Sequence, residues 1–515
     1  MTDALPIFPD AFNMADYFVL SNIEAGRGGK VAIRFEGRTI TYAEVADNVM
    51  RVARQLVSDG LLPESRVLLC MSDRPEFVYA WFGAIKAGAV VAQINPLLPV
   101  ADYAYYLDYV KPQFAFIDGD SRAAFGEAMK GNRHCGAGKN VIVVGDGFDA
   151  WLARAPKPGA EPWPTRKDDP AVWLFTSGTT GQSKGAVHCH FHFPFNTEVY
   201  AKRFIGMRES DVTISGPRLF FGYATGTNVM FPFAVGATTV LFREQPTAEL
   251  LFDLIEREKP SVFTSVPTLI NKMLQAGPGR RRDLSSVRFM WSAGEALPRE
   301  LHERWDAAFG VPIIDGIGSA ESFHIYISNR PGDIRPGSLG RLVPGYEARL
   351  VDDDGNPVAQ GDVGTLWLKG DSAATHYHGA YEKSKQHLRG GWIVSGDKFR
   401  QDADGYWYYE GRGDDLIKSG GIYVSPLEVE NCLLQHAAVR ECCVVGRKDG
   451  AGLEKPLAIV VLKDAATASE IELIAFAKER LARYKAPHWV HFSAVALPRN
   501  DRDKIDRKRL KAEHG

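Results

Sequence analysis

The sequence is poor in features that would tie it to a membrane, an oxidising compartment or a polyanion. Its six cysteines, Cys70, Cys135, Cys189, Cys432, Cys442 and Cys443, form no C-x-x-C pair and no dense framework. That excludes a disulfide scaffold and favours free thiols in a reducing compartment. Charge of neither sign dominates: Lys plus Arg total 61 against 63 Asp plus Glu, a formal net charge of −2, so no basic field points to nucleic acid or an anionic bilayer. Long apolar runs are missing too. The most apolar stretch, Tyr79 to Val100, is broken by Lys86, Gln93 and Asn95, whereas a spanning helix needs about 20 apolar residues in succession. The opening MTDALPIFPDAF carries no basic segment ahead of an apolar one, so no secretory signal is expected. The expectation is a cytoplasmic protein whose partner is a small soluble molecule, with no nucleic acid and no membrane; oligomeric state is not legible.

What is present is enough apolar sequence for several cores. At 515 residues and 45% apolar composition, the chain exceeds the roughly 250–300 residues at which one core stops growing. From about residue 30 to 240, short β-branched runs (Arg66–Met71, Val90–Asn95, Phe114–Asp118, Val141–Gly145, Val172–Thr176) alternate with helical patterns such as Glu76–Ala87. This is the rhythm of βαβ units on a largely parallel sheet. It returns after Pro260 with Ser261–Val266, Val287–Ser292 and Pro312–Asp315. Between Leu339 and Glu410 the turn signals Asp354-Gly355, Gly361-Asp362 and Asp404-Gly405 predict a small antiparallel β unit. Beyond Gly413 a compact α+β pattern takes over, with helices near Pro426–Gln435 and Ser469–Arg483 and strands near Cys442–Gly446 and Pro456–Lys463. The expected fold is therefore α/β. Residues 1–413 form a large N-terminal domain of doubly wound, mostly parallel sheets with a β-rich subdomain at about 338–410, and residues 414–515 form a small α+β domain. Ligands of doubly wound folds bind outside the carboxyl ends of the strands.

One such end is chemically distinctive. Thr176-Ser177-Gly178-Thr179-Thr180-Gly-Gln-Ser-Lys184-Gly185 follows a buried strand run and packs hydroxyls, glycines and one lysine into ten positions. Glycines let backbone amides approach anionic oxygens, the hydroxyls add donors and Lys184 adds a charge, so the loop suits phosphates. It lacks the Walker A spacing. The loop resembles the signature of the adenylate-forming superfamily of acyl-CoA synthetases, luciferases and adenylation domains. Further elements resemble that superfamily in order: Ser292-Ala-Gly294-Glu295-Ala296, Asp315-Gly316-Ile317-Gly318-Ser319-Ala320-Glu321, Ser395-Gly396-Asp397, Gly411-Arg412-Gly-Asp414-Asp415-Leu-Ile-Lys418-Ser-Gly420-Gly421, and Leu497-Pro498 with Lys504-Ile505.

The resemblance implies roles residue by residue. Thr176 to Thr180 and Lys184 take the phosphates, and Gly294, Glu295 and Ala296 lie beside the adenine of ATP or AMP. Asp315 to Ala320 complete the nucleotide site. Glu321 binds Mg²⁺, Asp397 holds the ribose, and Arg412 belongs to the same site. Asp414 is the hinge of a mobile C-terminal domain, Gly420 and Gly421 line the coenzyme A channel, and Lys504 is the catalytic lysine. Two positions depart from the superfamily's pattern: Ala320 stands where Thr is usual, and Asp503 where Gly is usual. The stretches Leu219–Gly226 and Glu321–Gly337 resemble benzoate-CoA ligases in particular, which implies that Gly222, Tyr223, Gly318, His324 and Ile325 surround a small aromatic carboxylic acid. For Phe220 and Phe221 a place in the aromatic core is the better expectation. The cofactors and co-substrates implied are ATP, Mg²⁺ and coenzyme A. A stand-alone adenylation enzyme loading a carrier protein, and a non-catalytic ATP-binding module, remain open. The run His188-Cys189-His190-Phe-His192 has a spacing that would place His188 and His192 on one helix face, but no second ligand set accompanies it.

Overall fold

The computed structural model describes residues 4–132, 139–145, 147–156, 160–177, 183–276, 282–419, 422–450, 452–499 and 505–515. Two large sheets dominate. The first runs in the order His376–Tyr377, Ser183–Cys189, Pro170–Ser177, Val90–Gln93, Arg66–Cys70, Phe114–Asp118, Val141–Val144. Its pairings are parallel from Pro170–Ser177 outward to Val141–Val144 and antiparallel at the other edge. The second has nine strands, parallel from Ile313–Gly318 through Phe289–Ser292, Val262–Ser265, Val212–Ser215 and Thr238–Leu241 to Val31–Phe35. Antiparallel strands close both of its edges. The central strands are buried on both faces, largely apolar in the first sheet and interspersed with buried Thr213, Ser215, Thr239, Thr264 and Ser265 in the second.

Close helix packing supports the first sheet. Thr41 and Glu44 form a reciprocal cap on the helix Tyr42–Ser58, whose Val45, Val49, Val52 and Leu56 recur at helical spacing on its buried face. That face meets the helix Pro75–Lys86 at Gly83, where a Cβ would lie 2.4 Å from Val52 Cγ1. Glycine at this position therefore sets the helix separation.

The expected β unit forms a five-stranded antiparallel sheet of Glu347–Val351, Gly364–Lys369, Trp392–Gln401, Leu388–Arg389 and Trp407–Arg412. One segment of this region does something else: His376–Tyr377 leaves the unit and pairs with Val187 and Ala186 at the edge of the seven-stranded sheet. The small α+β domain has its own sheet, Val439–Lys448, Glu454–Leu462 and Trp489–Phe492, with the helices Pro426–Leu433, Glu470–Arg480 and Arg507–His514. Its core gathers Ile417, Val424, Val429, Leu433, Val444, Val460 and Leu473. Among the described residues, no helix is long and apolar enough to cross a membrane.

Candidate active site

The carboxyl ends of both large sheets open onto one cavity of about 590 Å³, within the usual range for small-molecule sites. Thr176, Gly222, Tyr223, Gly294, Gly318, Ser319, Ala320, His324 and Ile325 all line it. Phe220 and Phe221 line it as well, and Phe221 is 41% exposed. This corrects the core expectation for these two rings: they lie on the loop before the helix Gly222–Thr225, where the chain turns toward solvent.

The apolar end of the cavity is built by one interrupted helical segment. Gly222–Thr225 is α-helical, Gly226–Met230 widens to a π turn, and Phe231–Val235 is α-helical again; such turns often mark functional sites. The His324 ring seats against the π turn, where a Cβ on Gly226 would lie 2.3 Å from its Cδ2. A carbonyl only accepts, so Nε2–H of His324 donates to Tyr223 O at 3.0 Å, and Nδ1 is a buried acceptor without a partner among the described residues. Burial holds the His324 pKa down at about 4, which keeps the imidazole neutral. Gly222 faces Leu174, whose Cδ atoms would lie 3.3 Å from an added Cβ. Tyr223 packs 5.5 Å from the His324 ring, and its hydroxyl donates to Ser265 O at 3.3 Å.

His324 is aimed by an uncommon turn. Phe323 sits at φ 70°, ψ −58°, and the amide of His324 donates to Ser322 O at 2.9 Å, the mirror form of the usual inverse γ-turn. A left-handed aromatic residue costs on the order of 1–3 kcal/mol. The Phe323 ring offsets this by stacking on Phe193 at 3.5 Å and 12°.

The charged site candidates are not among the lining residues, although Lys184 follows the lining Ser183 and Glu321 the lining Ala320. Thr176 and Lys184 are cross-strand neighbours. The ammonium of Lys184 is lowered by burial and by Lys383, against the opposing pull of the Glu321 carboxylate, so these three groups share one neighbourhood. Tyr109 fixes this strand: its hydroxyl donates to His378 O at 2.6 Å and accepts from the Gly185 amide at 3.1 Å. Glu321 half-emerges from the turn Ala320–Ser322, and Tyr377 donates to its Oε1 at 2.7 Å. Asp397 is raised chiefly by burial, with Arg412 and Tyr409 opposing; Arg412 Nη1 lies 3.4 Å and the Tyr409 hydroxyl 3.3 Å from its Oδ1.

The remaining nucleotide-side candidates differ in depth, from exposed Gly294 to buried Asp315. Glu295 accepts from the amide and hydroxyl of Thr268 at 3.0 and 2.8 Å, at the start of the helix Pro267–Ala276. Gly294 precedes it at φ 84°, and Ala296 follows half-buried. Asp315 is fully buried, its Oδ1 has no partner among the described residues, and burial pushes its pKa up to about 8. Gly316 and Gly318 allow close strand approach, since added Cβ atoms would lie 2.8 Å from Ile327 O and 2.5 Å from His324 O. Ile317, between them, packs against the main core.

Gly178, Thr179, Thr180, Gly420, Gly421 and Lys504 lie outside the described residues, as do the side chains of Ser177 and Asp414. The backbone of Asp414 lies in the turn Gly413–Asp415.

The donor set fits Mg²⁺ held jointly with phosphate. Among the described residues no group of three or more His, Cys, Asp and Glu converges on a metal site. One oxygen of Glu321 is engaged by Tyr377. Magnesium keeps several waters and phosphate oxygens and needs only one or two carboxylates. The histidine run takes another arrangement from the expected helix face: His188 ends the strand Ser183–Cys189, while His192 opens the helix His192–Asn196. Nε2 of His188 donates to Ala320 O at 2.7 Å, and its Nδ1 faces Nδ1 of His192 at 3.2 Å.

Gly226, Leu174 and Tyr377 were missed as site residues. Gly226 alone carries a sequence signal, a glycine inside an apolar helical run.

The profile of AMP-binding enzymes matches residues 21–378, and that of the AMP-binding enzyme C-terminal domain matches residues 428–504. The benzoate–CoA ligase of Thauera aromatica is 41% identical, over 98% of this chain and 96% of that protein. The crystal structure of the anthranilate CoA ligase AuaEII in complex with anthranoyl-AMP superimposes with a TM-score of 0.91 at 38% identity, covering 98% of each chain. A benzoate CoA ligase from Burkholderia xenovorans LB400 gives a TM-score of 0.88 at 40% identity, over 97% of this chain and 100% of that one.

Proposed function

The chain belongs to the AMP-binding enzyme family, and from that membership we propose that it is an ATP-dependent aryl-CoA ligase acting on benzoate or a simple amino- or hydroxybenzoate. The observation that carries the reading is that Gly222, Tyr223, Phe323, His324 and Ile325 together line one cavity of about 590 Å³. An aryl ring gains about 0.5–1.5 kcal/mol beyond area burial by packing against such rings. An amino acid would bring an ammonium, which needs a carboxylate partner when buried. The one carboxylate lining the cavity among the described residues is Asp102, which is exposed. The relatives named for benzoate and anthranilate support the same class.

In the first half-reaction a carboxylate oxygen of the acid attacks the α-phosphorus of ATP and pyrophosphate leaves. Lys184 and the loop from Thr176 to Thr180 hold the departing phosphates, Asp397 orients the ribose, and Glu321 carries the cation. Bound there, Mg²⁺ offsets charge on the phosphates. Lys504, assigned by its sequence motif, adds a positive charge at the α-phosphate. In the second half-reaction the sulfur of coenzyme A attacks the acyl carbon, its proton is released and AMP leaves. We assign residues 1–413 to the nucleotide- and acid-binding domain and 414–515 to a domain that moves about Asp414 between the two steps, bringing Gly420 and Gly421 to the coenzyme A channel.

Incubation with ATP, Mg²⁺ and benzoate, without coenzyme A, should give the aryl adenylate and one equivalent of pyrophosphate. Added coenzyme A should convert it to thioester and AMP. Release of ADP and phosphate would overturn the proposal, and an adenylate that ignores coenzyme A would point to a carrier protein as acceptor.

A further inference from the structure

The turn that carries Glu321 is a single short 3-10 segment, Ala320–Ser322, and such segments hold few bonds of their own. Each of its carbonyls accepts from a distant part of the chain: Ala320 from His188 Nε2 at 2.7 Å, Glu321 from the Ala374 amide at 2.7 Å and Ser322 from the Ser372 hydroxyl at 2.9 Å. The segment 372–377 therefore straps the turn from one side while His188 holds it from the other. The strap also reaches the side chain. The Tyr377 hydroxyl donates to Glu321 Oε1 at 2.7 Å, a charge-assisted bond of the stronger kind.

Tyr377 is in turn well fixed. It is buried, pairs with Ala186 on the strand that carries Lys184, and donates its amide to the Ser384 hydroxyl at 3.0 Å. One edge strand thus ties the Lys184 strand to the Glu321 carboxylate.

We propose that Tyr377 is a positioning residue for divalent-cation binding: its hydroxyl holds one oxygen of Glu321 and turns the other toward the cation. The proposal rests on the reading of Glu321 as the cation's carboxylate. A carboxylate with one oxygen already engaged suits the compact shell of Mg²⁺, which takes few protein ligands. Partners that orient a ligating group typically account for about 10- to 100-fold in metal affinity.

The test is Mn²⁺ binding to the full-length enzyme–ATP complex, followed by electron paramagnetic resonance without acid, so that no turnover occurs. Tyr377→Phe should weaken Mn²⁺ by about 10-fold and leave ATP binding without metal and the Tm close to wild type. Should that variant not fold, Tyr377→Met also fills the volume without a hydroxyl. Ser384→Ala loosens the Tyr377 backbone but spares its hydroxyl, and should bind Mn²⁺ as wild type does. If Glu321→Gln weakens Mn²⁺ while Tyr377→Phe does not, the positioning role is overturned and the Glu321 reading stands. Equal weakening in Ser384→Ala and Tyr377→Phe would likewise reject the hydroxyl's role. Wild-type Mn²⁺ affinity in Glu321→Gln would overturn the Glu321 reading and the proposal with it.

Discussion

Two single residues carry much of the site's geometry. Gly226 admits His324 because it has no side chain, and an added Cβ would lie 2.3 Å from the imidazole. The neighbour is a packed ring bonded to Tyr223 O, so it must shift as a whole. Displacing a positioning group by about 1 Å can cost about 100-fold in rate. Gly226→Ala should therefore lower kcat/KM for benzoate by about that factor and leave the KM for ATP unchanged, as pyrophosphate-exchange kinetics would show. Asp315 gives a pH prediction. Burial raises its folded pKa to about 8 against an ordinary carboxylate value near 3.9, so between these values the folded state retains a proton that the unfolded state has released. Stability due to this group is thus present at low pH and lost as pH rises through that window. Asp315→Asn removes the titration, so the Tm of the variant relative to wild type should increase from pH 5 to pH 8. A difference independent of pH would show that Asp315 is ionised in the fold. Phe220 and Phe221 show where residue-level reading fails: two adjacent aromatics read as core, yet the turn before Gly222 carries them to the cavity wall.

At the level of elements, many of the parallel strands are legible because they are short runs rich in apolar residues between helical patterns. Phe114–Asp118 is observed as predicted, and Val90–Asn95 shortens to Val90–Gln93, where the chain leaves the sheet to line the cavity. The strand His376–Tyr377 is not legible. It has two residues, and its partner lies about 190 positions earlier, so no local pattern announces it. The π turn at Gly226–Met230 is likewise set by the tertiary contact with His324. The turn Gly413–Asp415 joins the strand Trp407–Arg412 to the hairpin that begins at Ile417, so the proposed domain motion would be absorbed by only a few residues. Asp414→Pro fixes φ near −65° there. Adenylation should survive and thioester formation fail, measured as separate half-reactions. Equal loss of both in a folded variant would argue against a hinge at this position.

Across the whole molecule, the reading of a large mixed α/β domain followed by a small α+β domain agrees with the observed sheets, because hydrophobic periodicity changes where the architecture changes. The site is legible only in part. The positions proposed for phosphate, ribose and cation are chemistry-bearing residues in recognisable order, whereas Leu174, Gly226 and Tyr377 make contacts that exist only when distant parts of the chain meet. If the two domains divide the labour between half-reactions, Lys504→Ala should slow adenylation by about 10²- to 10³-fold. It should spare thioester formation from supplied aryl adenylate; wild-type pyrophosphate exchange would reject that assignment. The central claim, that the cavity wall at Gly222, Tyr223 and His324 selects one aromatic ring, is tested most directly by kcat/KM for thioester formation across benzoate, 2-aminobenzoate, hydroxybenzoates, acetate and palmitate. The account predicts that benzoate and a monosubstituted amino- or hydroxybenzoate lead the series; acetate or palmitate ahead of every aromatic acid would contradict it.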